Sequence, residues 1–143
     1  MFFHLFLNVY VFWSFGRVIE KVIGGGRFLR FYLTAAIMGS LAHSIVASFI
    51  LDSPQSPALG ASGAVAGLIL LFSFMFPKEK IYILGLIPVP TMVGALIVIG
   101  IDLWGLSSQV KGQGLPIGHA AHLGGAATGI IYYFGFIKKH LVK

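Results

Sequence analysis

Between Arg30 and Asp52, Asp52 and Lys78, Lys80 and Asp102, and Lys111 and Lys138, the chain passes without one charged side chain. Apolar stretches of that length leave few folds open. A helix needs roughly 20 apolar residues to cross the hydrocarbon core, and a spanning backbone must satisfy its own hydrogen bonds. Of the 143 residues, 57% are hydrophobic and 10% charged, where a soluble domain carries about a quarter charged. The chain therefore reads as a membrane protein. Its first apolar segment runs straight from Met1 with the length of a span, without the small-residue cleavage site of a signal peptide. The absence of cysteine excludes disulfides, thiolate nucleophiles and sulfur-ligated metals. The net charge of +6 does not point to nucleic acid, because the basic residues gather at the ends of the apolar segments.

Five spans are expected: Phe2 to Val22, Phe28 to Ile50, Ala61 to Phe76, Ile81 to Leu106 and Ile117 to Ile137. Arg17, Glu20, Lys21 and the run Gly24-Gly25-Gly26 close the first, Asp52 with Pro54 and Pro57 the second, and Pro77 with Lys78-Glu79-Lys80 the third. Pro88 and Pro90 should make the entry to the fourth irregular, since proline lacks the amide hydrogen a helix interior needs. With no repeats or linkers, residues 1–143 form one domain, an all-α polytopic membrane bundle of about five transmembrane helices. If the spans alternate, Arg17, Lys21, Arg27, Arg30, Lys78, Lys80, Lys138, Lys139 and Lys143 fall on one side and only Lys111 on the other. Basic residues mark the cytoplasmic side, so the carboxyl terminus is expected in the cytoplasm or its topological equivalent.

In that topology spans one, three and five run the same way. His4 and Asn8 fall in the first two turns of span one, Ser62 in the first turn of span three and His122 in the second turn of span five. At about 1.5 Å per residue, all four lie within roughly the outer third of the bilayer. Polar side chains at that depth are costly and face the bundle interior. Three segments remote in sequence thus deliver a hydroxyl, an imidazole and two further hydrogen-bonding groups to one layer, the parts that acyl transfer requires.

Each residue also has a plainer reading. Gly60, Ser62, Gly63, Ala66 and Gly67 form a small-residue face of the kind that lets membrane helices approach, and Gly125-Ala126-Ala127-Thr128-Gly129 is a second. If the two faces meet, His122 comes beside Ser62. His119, one turn from His122, is expected nearer the water, and His43 and His140 are read as structural. Histidine is a usual zinc ligand, but no HExxH helix occurs, and Glu20, Glu79 and Asp102 are taken to lie too far inward to complete an outer site. The expectation is a site without metal, in which no carboxylate orients His122.

His4-x-x-x-Asn8, Glu20…Gly24-x-x-Arg27-Phe28…Tyr32, Gly60-Ala61-Ser62-Gly63 and Ala121-His122-x-x-Gly125-x-x-x-Gly129 occur in that order along the chain. In these motifs the chain resembles the rhomboid family of intramembrane serine proteases over essentially its whole length. The resemblance implies Ser62 as nucleophile and His122 as general base, a Ser–His dyad. It implies an oxyanion hole of His4, Asn8 and the Ser62 backbone amide. It implies cleavage of transmembrane protein substrates near the outer membrane face, with no cofactor, in a prokaryotic plasma membrane or the mitochondrial inner membrane. The family core has six helices, and this chain opens at the second, so the first helix and its following loop are expected to be missing. Position 66 is alanine where members commonly carry an aromatic residue. Two other readings compete: an inactive rhomboid-like protein that binds transmembrane clients, and a small transporter or channel, for which Asp102 is the one intramembrane carboxylate.

Overall fold

A computed structural model describes residues 2–56, 61–83 and 85–141. Its helices are α1 (Phe2–Ile23), α2 (Gly25–Phe49), α3 (Ala61–Met75), α4 (Thr91–Val110) and α5 (His119–Tyr132). The last continues through a π turn, Tyr133–Ile137, and a final α turn, Lys138–His140, as one helical segment. α1, α2, α4 and the extended α5 are long and apolar enough to cross a membrane, which makes this an integral membrane protein.

Once α5 is counted with its extension, α3 is the shortest of the five, with 15 residues, and it is the axis of the bundle: α1, α2, α4 and α5 all pack against it. A helix that is apolar all round has no face to give to a polar surface; here Gly63 to Leu68 and Leu70 to Ser73 are all buried. At one end of the bundle, Ile19 and Ile23 of α1, Phe28 and Phe31 of α2, Leu68, Leu71 and Phe72 of α3, and Ile137 form the main core. Phe15 stacks on Phe72 with ring centroids 4.3 Å apart. The Arg27 guanidinium lies over the Phe136 ring, joining the start of α2 to the end of α5.

α1 and α2 are separated only by Gly24, whose φ of +88° is left-handed backbone that glycine alone adopts without strain. α2 therefore starts at Gly25, earlier than the expected Phe28. The fourth span also differs from its expected bounds. Residues before Thr91 form an antiparallel hairpin, β1 (Lys80–Ile83) with β2 (Ile87–Pro90), with Lys80 opposite Pro90 and Ile83 opposite Ile87. Two prolines in β2 preclude helix there, and in a two-stranded ribbon they can face away from the ladder. The hairpin is tied to α3: the Thr91 hydroxyl donates to the Phe76 carbonyl at 2.5 Å, and the Ser73 hydroxyl lies 3.1 Å from the Thr91 carbonyl oxygen. α4 begins later than expected and runs a turn beyond Leu106.

Bare backbone joins α2, α3 and α5. A Cβ on Gly63 would lie 2.9 Å from the Ala121 carbonyl oxygen, and one on Gly39 would lie 2.8 Å from the same atom. A Cβ on Gly125 would run into the Gly63 carbonyl and one on Gly129 into the Gly67 carbonyl. Ordinary overpacking costs about 1–3 kcal/mol; here the obstacle is backbone, so the helices themselves must separate. Gly125→Leu and Gly129→Leu are expected to destabilise the protein by more than that range. Gly100→Leu and Gly135→Leu, where nothing lies within 4 Å of the added Cβ, should leave the melting temperature in detergent almost unmoved. Equal melting of all four variants would refute the close contact.

Candidate functional site

The centre of the polar layer is a carboxylate. Asp102 on α4 is 4% exposed, and its Oδ1 lies 2.7 Å from Nδ1 of His119 and 3.0 Å from Nδ1 of His122. This corrects two expectations. Asp102 is level with the histidines, and a carboxylate does orient His122. The sequence reading placed Asp102 too far inward, but α4 ends at Val110, only eight residues (110 − 102) or roughly 12 Å beyond it. The connection to α5 then folds back toward the bundle: Gln109 Nε2 donates to the carbonyls of Leu115 and Ile117 at 2.8 Å each, so α5 starts level with Asp102. His119 is corrected as well. It is 6% exposed, buried rather than facing water, while His122 keeps one-fifth of its side chain accessible.

Burial of a charge is costly unless it is paired and hydrogen-bonded. Two imidazole N–H groups donating to one carboxylate oxygen meet that requirement, and among the described residues no buried side-chain nitrogen or oxygen lacks a partner. With Nδ1 donating, the neutral ring of His122 carries its lone pair on Nε2.

A cavity of about 410 Å³ opens beside this cluster, lined by His4, Ser62, Asp102, His119 and His122 together with apolar residues of α4 and the α4–α5 connection. Ser62 sits in the first turn of α3, where N–H groups aim out of the helix end. The structure thus gathers Ser62, His122 and His4 around one space. Asn8 is not among its lining residues. Its Nδ2 donates to the His4 carbonyl at 2.8 Å and lies 3.2 Å from His4 Nδ1, and its side chain borders a separate cavity with Tyr32, Ala61 and Val65. Gly60 lies outside the described residues. Gly63, Gly67, Gly125 and Gly129 lie in the helix contact described above. His43 is structural in the sense expected: its Nε2 is 3.0 Å from the Ser56 carbonyl oxygen and holds the segment after α2.

Two contributors were missed in the sequence: Asp102 and Gly105. Gly105 lies one turn after Asp102, and the His119 ring packs where a Cβ on Gly105 would stand. The spacing of Asp102 and Gly105 was a signal, because i and i+3 share a helix face. A Gly105→Ala substitution should push the His119 ring off Asp102 and destabilise the protein by about 1–3 kcal/mol. Imidazole ¹⁵N spectra would register the lost Nδ1–H contact; unchanged spectra would show that the ring accommodates the methyl.

A family model described as Rhomboid domain matches residues 1–139. Among similar proteins, Rhomboid protein 1, mitochondrial, of Saccharomyces cerevisiae is 35% identical over 145 residues, covering 99% of this chain and 40% of that protein. RHOMBOID-like protein 12, mitochondrial, of Arabidopsis thaliana is 33% identical over 140 residues, covering 90% and 40%. Presenilin-associated rhomboid-like protein, mitochondrial, of Homo sapiens is 30% identical over 130 residues, covering 91% and 33%. The chain thus spans at most 40% of the length of these three relatives. No solved structure matches it. A helical membrane bundle with α3 at its axis, matched by the family model from residue 1 to 139, places this chain in the rhomboid family.

Proposed function

We propose that this protein is an intramembrane serine protease that cuts transmembrane-helix substrates near one face of the membrane. The observation that carries the reading is a single cavity lined by both Ser62 and His122, with Nδ1 of His122 held by Asp102. A neutral imidazole whose Nδ1–H is engaged presents Nε2 as a base. Ser62 Oγ attacks the scissile carbonyl carbon as Nε2 takes its proton. The same nitrogen returns the proton to the departing amine, and water then hydrolyses the acyl-enzyme by the reverse use of His122. Asp102 touches no reacting atom. It is a positioning residue that fixes the tautomer and stabilises the imidazolium, so the dyad expected from the sequence gains a third member.

For the oxyanion, the proposed donors are the Ser62 amide at the start of α3, His4 at the cavity wall, and Asn8, which exchanges its contact with the His4 carbonyl for the substrate oxygen. Such donors act where charge develops, and loss of one costs roughly a hundred- to thousandfold in rate. No cofactor enters these steps.

A transmembrane substrate needs a lateral way in. Among the described residues, α1 and α4 do not approach each other closely. A second cavity of about 540 Å³ lies between them, lined by Leu7, Tyr10 and Ser14 of α1 and by Gly94, Ala95 and Val98 of α4. Val98 borders both cavities, so the cleft leads toward Ser62. The concentration of nine of ten lysines and arginines at one set of span ends supports a C-terminus on the cytoplasmic side of a prokaryotic plasma membrane, or on the equivalent side of the mitochondrial inner membrane. The site then opens toward the opposite face.

A fluorophosphonate probe on purified protein in detergent or lipid tests the nucleophile. Labelling should vanish in Ser62→Ala and His122→Gln. Asp102→Asn should lower kcat on a transmembrane substrate by about two orders of magnitude or more with little change in KM, because the wrong tautomer is favoured while binding surfaces persist. Absence of labelling in the wild type, with a transmembrane peptide still bound, would instead favour the inactive client-binding reading. The cleft has its own test: Ser14→Phe should slow cleavage of a transmembrane substrate about tenfold or more while leaving labelling by the small probe intact. Equal loss of both would remove the cleft from the substrate's route.

A further inference from the structure

The geometry points to a zinc site made by Asp102, His119 and His122 whose occupation switches the proposed hydrolase off. The site itself stands independently of the protease reading; only its inhibitory consequence depends on it. One ligand atom from each of Asp102, His119 and His122 lies within 4.8 Å of the other two, and Nδ1 of both histidines faces Oδ1 of Asp102. Tetrahedral zinc holds nitrogen and oxygen ligands at about 2.0–2.2 Å, which sets the ligands about 3.3 Å apart. The two contacts to Asp102 are 2.7 and 3.0 Å, so zinc requires each to open by a few tenths of an ångström and the two imidazoles, now within 4.8 Å, to settle at the same spacing.

Three features favour a metal over a purely structural cluster. The donor set is two imidazole nitrogens and one carboxylate oxygen, which suits zinc and is poorly matched to magnesium or calcium, whose ligands are oxygens. Asp102 and His119 are buried, and Gly105 gives the His119 ring a seat that holds it against the carboxylate. The cavity beside the three leaves room for a water as fourth ligand, the arrangement of zinc sites with three protein ligands.

The chemistry of occupation is a tautomer exchange. Each Nδ1 gives its lone pair to zinc, and the proton it carried toward Asp102 is taken up at Nε2 through solvent. No net proton is gained or lost by a neutral ring. His122 is left with Nε2–H and can no longer accept the Ser62 proton. Zinc therefore removes the general base without touching the nucleophile.

The experiment uses the full chain in detergent, stripped with EDTA and dialysed against graded free zinc, with bound metal and fluorophosphonate labelling measured on the same samples. One zinc per chain is expected, with labelling falling about tenfold or more as the site fills and recovering in EDTA. Ser62→Ala should bind zinc like wild type. His119→Gln and Asp102→Asn should each weaken binding by more than a hundredfold, and X-ray absorption at the zinc edge should count two imidazoles in the wild type. Melting curves in EDTA check that the variants fold; if one does not, the imidazole count in the wild type decides. Sub-stoichiometric zinc, zinc without imidazole ligands, or equal affinity in the folded variants would overturn the site. Stoichiometric zinc with unchanged labelling would overturn the inhibition. Stoichiometric zinc with no labelling under any condition supports the site and removes the hydrolase reading instead.

Discussion

Everything at the polar end of this molecule depends on backbone touching backbone. Lipid gives two apolar helices no hydrophobic reason to associate, so close van der Waals contact must hold them. Gly63 meets the Ala121 carbonyl, and Gly125 meets the Gly63 carbonyl. Ser62 directly precedes Gly63, and His122 directly follows Ala121. The contact that holds α3 to α5 is therefore one residue away from each member of the proposed catalytic pair. Gly39 of α2 joins at the same carbonyl, so three helices converge on one peptide group. A seam made of backbone has no rotamers through which to relax, which fixes the relative height of Ser62 and His122 more firmly than side-chain packing would.

The second constraint is electrostatic. A carboxylate among apolar helices must be neutralised or fully hydrogen-bonded, and Asp102 takes one imidazole from each of two successive turns of α5. That arrangement ties α4, which otherwise meets α5 through a small apolar cluster around Leu70, Ala95 and Ala126, to the helix carrying the proposed base. It also splits the histidines by role. His119 is the more buried and is seated on Gly105, whereas His122 retains an accessible edge toward the cavity.

Helix number and identity were legible because charge-free runs bounded by basic clusters leave a membrane chain no other option. The glycine contact was legible for a related reason: small residues at four-residue spacing on two remote helices have one productive use in lipid. The hairpin before Thr91 was legible only as irregularity, since Pro88 and Pro90 say what the backbone cannot do and not what it does instead. Asp102 was lost through a depth argument that treated residue count as height. Height is set by where a helix ends and how its connection returns, and neither the extension to Val110 nor the Gln109 clasp on the α4–α5 connection has a periodic signature. Asn8 shows a further limit. Its i, i+4 relation to His4 was readable, but the rotamer that turns its amide to the His4 carbonyl was not.

The groups of the site stand on elements of very different firmness. α3 and α5 are locked by glycine contacts, and α4 is joined to them by Asp102. α1 buries only Gly16, Ile19 and Ile23, all in the half remote from His4 and Asn8, while Phe2, Phe3, Leu5 and Phe6 are exposed. A segment with few buried contacts opens at lower free energy than the core it leans on. The half of α1 that carries the proposed oxyanion donors is also the wall of the cleft toward α4. Movement of that half would widen the cleft and displace His4 together, so in the proposed protease admission of a substrate and completion of the oxyanion hole would be coupled through one loosely held helix. Ser62, His122 and Asp102 need not move at all, because the seam and the Asp102 contacts hold them independently of α1.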